Sequence, residues 1–170
     1  MHQNPKILVY GYGNPGRQDD VLGIKLADAI SEWASQNHYD FIDTDSNYQL
    51  NIEDASTIHD KDLVIFADAS QEITDDFLFT KVNPDSKVGF TMHHVSPEYV
   101  QYLCNELFQK DPESFLLHIK GYKWDYLGKP TKKAEANLNK AMDFIKSFLK
   151  QRISRPCNHL NMNTIITNKT

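Results

Sequence analysis

The sequence predicts one three-layer α/β domain, and three observations carry that prediction. Short apolar runs alternate with amphipathic segments along the chain. The run Leu63 to Ala67 (LVIFA) is continuously apolar, as suits a strand covered on both faces. A glycine-rich turn, Gly11 to Gly23 (GYGNPGRQDDVLG), separates the first apolar run from the first amphipathic one. Strands alternating with helices argue an α/β/α sandwich around a mostly parallel or mixed sheet, here of five strands.

Lys6 to Tyr10 is the first predicted strand. The first helix is expected near Asp20, because Gly23, Leu26, Ala27, Ile30, Trp33 and Ala34 share one face at helical spacing. Tyr39 to Ile42 reads as a second strand closed by Asp43, and Asn51 to Ile58 as a short helix. The central strand, Leu63 to Ala67, ends at Asp68. Phe77 to Val82 is a fourth strand, followed by an Asn83-Pro84-Asp85 turn. The next helix starts near Ser96 or Pro97, since serine caps and proline suits the first turn. Its expected buried side is Tyr99, Val100, Leu103 and Leu107. Phe115 to Ile119 is a fifth strand. Thr131 caps a last helix with the stripe Leu138, Ala141, Ile145, Phe148 and Leu149. A single domain is therefore expected over residues 1–151, with 152–170 a polar, flexible tail.

A chain of 170 residues suffices for one buried core. No apolar run is long enough to span a membrane, and MHQNPK lacks a signal-peptide core, so a cytoplasmic location is expected. The two cysteines, Cys104 and Cys157, form no paired motif, which argues against a disulfide scaffold or a thiolate zinc site. Net charge is -5, and nucleic-acid binders usually show the opposite balance. The one basic cluster, Lys129, Lys132 and Lys133, reads as a solvated face.

In open α/β sheets, ligand sites collect at the carboxyl ends of strands. Asp20 follows strand one, Asp68 ends the central strand, and His93 and His94 follow the fourth strand after a loop. Each has an ordinary structural role open to it: helix capping for Asp19 or Asp20, turn opening for Asp68, packing for the histidines. Taken together, two carboxylates and an imidazole on one edge suit a divalent first-row cation and leave positions open for water or substrate. The glycines alone also satisfy GxGxxG, with Asp43 near the end of strand two as the matching acid. However, Asp19 and Asp20 would crowd the helix start where a pyrophosphate belongs, and Pro15 removes a donor. GYGNPG also resembles the opening of peptidyl-tRNA hydrolases, but RQDDVLG lacks their catalytic histidine.

The ordered set of GYGNPGRQDDVLG, YQLNIEDA (Tyr48 to Ala55), VIFADAS (Val64 to Ser70), HHVSP (His93 to Pro97), IKGYKWDYLG (Ile119 to Gly128) and ANLNKA (Ala136 to Ala141) resembles the hydrogenase maturation proteases. The resemblance implies a phosphorylase/hydrolase-like sandwich and an endopeptidase that trims the C-terminal extension of a nickel-loaded [NiFe]-hydrogenase large-subunit precursor. It implies nickel recognition by Asp20, Asp68 and His93, with Val95 selecting His93 over His94, and a supporting role for Asp19. It implies that the substrate presents the nickel, another divalent metal being possible; a monomer with no nucleic-acid or membrane partner is expected. A non-catalytic metal-recognition or chaperone-like module on the same fold is the alternative, and a dinucleotide-binding enzyme a more remote one. Val21 departs from the family's pattern, which has glycine there.

Overall fold

Alternating apolar residues bury both faces of the sheet. In the computed structural model, which describes residues 4–87, 95–154 and 166–167, the elements in order are β1 (Ile7–Tyr12), a 3-10 turn (Gln18–Val21), α1 (Leu22–Gln36), β2 (Ile42–Asn47) and α2 (Asp54–Ile58). They continue with β3 (Leu63–Ser70), β4 (Phe77–Lys81), α3 (Pro97–Phe108), β5 (Glu113–Lys120), α4 (Lys132–Ser154) and β6 (Ile166–Thr167). The sheet order is β2-β1-β3-β5-β4-β6. The first four of these strands are parallel; β4 runs antiparallel to β5, and the two-residue β6 antiparallel to β4. The expected three-layer sandwich with a five-stranded mixed sheet is what forms, with β6 added at one edge.

Ile7, Val9, Ile65 and Leu117 face one way and pack against Leu26 and Ile30 of α1 and Ala141 and Ile145 of α4. Leu8, Tyr10, Val64, Phe66 and Leu116 face the other way, against Ala55 and Ile58 of α2 and Val100 and Cys104 of α3. At about 25 cal/mol per Å² of apolar surface removed from water, these two layers supply the main stabilising term. The apolar face expected for α1, from Gly23 to Ala34, is buried throughout. Ser96 caps α3, its hydroxyl accepting from the Tyr99 N–H, with Pro97 in the first turn. Thr131 does the same for α4 through the Ala134 N–H.

Several boundaries differ from expectation. Tyr39 to Ile42 is not the second strand: the Tyr39 ring packs edge-on to Trp33 at 5.3 Å and its N–H donates to Ala34, closing the end of α1. The strand is instead the polar Ile42–Asn47, which among the described residues pairs with β1 alone and exposes most of its side chains, so it carries little apolar signal. Asp43 therefore lies inside β2 rather than closing a strand. β3 runs on to Ser70, because β5 pairs with it through Asp68, Ala69 and Ser70. Leu107 points outward, 66% exposed, while Cys104 takes the buried position. The short helix starts at Asp54, whose carboxylate accepts from the Asn51 N–H at 2.7 Å. α4 continues to Ser154, and Arg152 grips Glu113 with two bonds of 2.8 Å, so the helical domain extends past residue 151. Cys157 lies outside the described residues.

Candidate functional site

The carboxyl edge of the sheet is shaped by close backbone approach. Gly13 sits at φ +144°, and a Cβ there would collide with the Asp20 carbonyl oxygen. A Cβ on Gly23 would strike the carbonyl oxygen of Ala67 and lie 2.6 Å from that of Tyr12. The start of α1 is thus pressed onto the ends of β1 and β3, which sets the Asp20 turn beside Asp68. Val21, where the family pattern has glycine, lies at φ -84° and ψ -5°, an ordinary right-handed conformation that any residue adopts.

Asp19 and Asp20 are adjacent in sequence and opposite in role. Asp19 is fully buried. Its carboxylate accepts from the backbone N–H groups of Tyr122 (2.8 Å), Lys123 (3.1 Å) and Thr131 (2.6 Å), and from the Thr131 hydroxyl (2.9 Å). Every one of these donors belongs to the segment joining β5 to α4. Asp19 is the fastener that straps this segment across the glycine turn. Asp20 turns the other way, with 18% of its side chain exposed and the Arg17 guanidinium 3.9 Å off. Burial raises its pKa, opposed by Arg17, the Asn14 N–H and the Trp124 indole N–H.

Asp68 is part-buried on β3. Burial pushes its carboxyl up to about 7, the Ala69 N–H opposes that, and the negative charge of Asp20 adds to it. The fold therefore brings Asp20 and Asp68 within electrostatic reach on one edge. His93 and His94 lie outside the described residues. Among the described residues no three His, Cys, Asp or Glu side chains stand at metal-holding spacing.

His118 lies on β5, in a stretch of sequence that no motif singles out as a site. In the sheet it is the register partner of Asp68, on the face covered by α3. Burial lowers its pKa, with Glu98 and Glu72 opposing. Burial raises the pKa of Tyr12, and the charges of Asp68 and of Glu98, in the first turn of α3, add to it. Tyr12, Asp68, His118 and the start of α3 thus form one electrostatic neighbourhood. Parallel-strand register is non-local, and no residue spacing along the chain signals it.

Asp43, the acid that the dinucleotide pattern uses, pairs in register with Leu8 near the start of β1 and is ion-paired to Lys61 at 2.9 Å. That places it toward the amino edge, away from the glycine turn. An open cleft of about 470 Å³ at that amino edge is lined by Lys6, Asp60, Lys61 and Asp62 among others. Its charges are largely paired with one another, Lys6 and Lys61 both reaching Asp60.

An edge with two part-buried carboxylates, one of them half-ionised near neutrality, can ligate a divalent cation or accept a proton from water. No protein-family model matches the chain, and no curated protein matches it. Solved structures do. A [NiFe] hydrogenase maturation protease, HycI from Thermococcus kodakarensis KOD1, superposes with TM-score 0.69 at 18% identity, covering 86% of this chain and 94% of that one. The hydrogenase maturating endopeptidase HybD from E. coli gives 0.66 at 18%, covering 86% and 93%. A hydrogenase 2 maturation peptidase from Thaumarchaeota archaeon SCGC_AB-539-E09 gives 0.61 at 21%, covering 85% and 97%. The chain has the fold of these proteins over nearly their whole length.

Proposed function

We propose that this chain is an endopeptidase of hydrogenase maturation, acting in the cytoplasm on a [NiFe]-hydrogenase large-subunit precursor that already carries nickel. The observation that carries the reading is the Asp20–Asp68 pair, two part-buried carboxylates coupled across the carboxyl edge of this particular fold. Asp20, Asp68 and His93 are the residues that meet the nickel of the substrate. Carboxylate oxygens and an imidazole nitrogen suit a borderline divalent ion, and three ligands from this chain leave the precursor's own ligands in place. The start of α3, which follows His93 in the sequence, carries Glu98, whose charge acts on both Tyr12 and His118.

Recognition of the metal fixes where the precursor's C-terminal extension crosses the site. Peptide hydrolysis then needs a water relieved of its proton. A carboxylate oxygen on this edge that the nickel leaves free is suited to take it as general base. Arg17 balances part of the negative charge that Asp20 adds beside Asp68. Asp19 acts on the site from behind, by holding the backbone that aims Asp20.

Intact-mass spectrometry of the nickel-loaded precursor tests this. The wild-type chain shortens the precursor once near its C-terminus, and Asp20→Asn, Asp68→Asn and His93→Ala each abolish the cut. Cleavage that persists in all three variants would remove the site assignment. Binding of the precursor with no change in its mass would identify a non-catalytic metal-recognition module instead.

A further inference from the structure

The segment between β5 and α4 is unusual in both what it buries and what it shows. Its backbone is tied down at almost every step to the turn that carries Asp20. Besides the bonds to Asp19, Gln18 accepts from the Asp125 N–H and donates to the Lys129 carbonyl. The Leu127 N–H donates to Gly16, and the Arg17 Nε to the Trp124 carbonyl. At the tip of this rigid strap Leu127 is 96% exposed and Tyr126 76% exposed. Leu127 also occupies the left-handed region, with φ +60°. A bulky, non-glycine residue held there is strained, and such strain persists where surrounding structure over-determines it, typically at functional positions.

Charge points the same way. In a chain with 23 acidic and 18 basic residues, the stretch from Lys120 to Lys133 holds five lysines and one acid, Asp125. Lys123 and Lys129 are exposed on either side of Leu127.

We propose that this strap is the surface on which the chain docks its protein substrate, with Leu127 as the apolar anchor and Lys123 and Lys129 as partners for carboxylates around it. The proposal rests on the reading of the substrate as a folded precursor. The matching surface on that precursor is a small apolar pocket with an acidic rim. Leu127 is the most exposed large apolar side chain of the strap, and an aliphatic anchor of this kind is met by an apolar pocket on a protein surface. Because the strap is fastened to the Asp20 turn, docking there registers the precursor on the site.

Affinity of the full chain for the nickel-loaded large-subunit precursor of the same organism, measured alongside thermal unfolding, tests this. Leu127→Gly keeps or raises the melting temperature, since glycine relieves the strained backbone, and weakens binding about tenfold or more. The double variant Lys123→Glu, Lys129→Glu weakens binding and loses most of its salt dependence, chiefly through a slower on-rate. Wild-type affinity in both variants overturns the proposal while leaving the proposed function standing. A wild-type chain that does not bind the precursor overturns the proposed function, and this docking surface with it. Displacement of the precursor by a short single-stranded RNA would reassign the strap to nucleic acid and overturn the proposal as well.

Discussion

Asp68 bears an electrostatic cost that its position in the sheet imposes. An exposed aspartate titrates near 3.8, whereas burial and Asp20 hold this one up at about 7. The folded state therefore binds the proton more tightly than the unfolded state between those two values. The contribution of Asp68 to stability is full at and below about pH 4 and is lost as pH rises through 7. Asp68→Asn cannot ionise, so it escapes that loss. In chelator-treated protein, the variant should match the wild type near pH 4 and exceed it at pH 8 by a few kcal/mol, because each tenfold difference in proton affinity between the folded and unfolded states is worth about 1.4 kcal/mol. Urea unfolding at both pH values measures this, and equal stability at pH 8 would show that Asp68 is not held against its charge. Stability gained at the expense of the reaction is a common signature of a functional residue. That Asp68 is costly was already legible in the sequence, since a carboxylate ending an apolar run must be paired or solvated. The size and direction of its displacement were not, because they come first from burial of the carboxyl in the assembled fold, with the charge of Asp20, set beside it by the packing of Gly23 on Ala67, adding to it.

Elements here are held by side chains as much as by ladders. The 3-10 turn Gln18–Val21 and the start of α4 have no sheet register in common, yet the Asp19 carboxylate satisfies four donors between them. Removing a buried carboxylate bonded this fully strands those donors without water. Asp19→Ala should lower stability by roughly 3 kcal/mol or more. Amide exchange should accelerate first over residues 121–131, ahead of the β3 and β5 core. A loss below about 0.5 kcal/mol, or uniform acceleration across the sheet, would contradict the fastener role. The sequence marks Asp19 and Asp20 as a pair but does not say which one turns inward. The difference arises from the 3-10 geometry, which sends consecutive side chains about a third of a turn apart. Element identity was easier to read. α1, β3 and α3 carry strong periodicity or capping signals; α1 and β3 appear with their expected buried faces, while of the face expected for α3 Val100 is buried, Tyr99 and Leu103 are half-buried and Leu107 is exposed. β2 was misplaced because a polar edge strand owes its structure to backbone pairing with β1, while the apolar run beside it serves a helix end.

Across the whole molecule, the two ends of the sheet have separate chemistry. The amino edge holds largely self-paired ions around Lys61, including the one to Asp43. The carboxyl edge holds Asp20, Asp68 and the strap. A dinucleotide would need a free helix N-terminus after β1 and an acid at the far end of β2. Asp19 and Asp20 occupy the first place, and Asp43 is committed elsewhere. Saturating NAD or NADP should therefore leave the melting temperature unchanged; a ligand at 100 times its dissociation constant would add about 2.7 kcal/mol, which thermal unfolding detects readily. No helix among the described residues is long and apolar enough to cross a membrane.

Local patterning along the chain specifies the layers, the order of most elements, the sharp glycine turn and the two carboxylates that follow β1 and end β3. In each of these, a residue's contribution is read against its near neighbours. Tertiary structure decides that Asp19 turns inward as a fastener and Asp20 turns toward the open edge, that His118 stands beside Asp68, that Val21 takes an ordinary right-handed conformation, and that Leu127 is held out into water. The physical reason is common to all four. Each depends on contacts or backbone angles set by segments far apart in the chain, brought together when the start of α1 closes onto β3 and the β5–α4 strap closes over both.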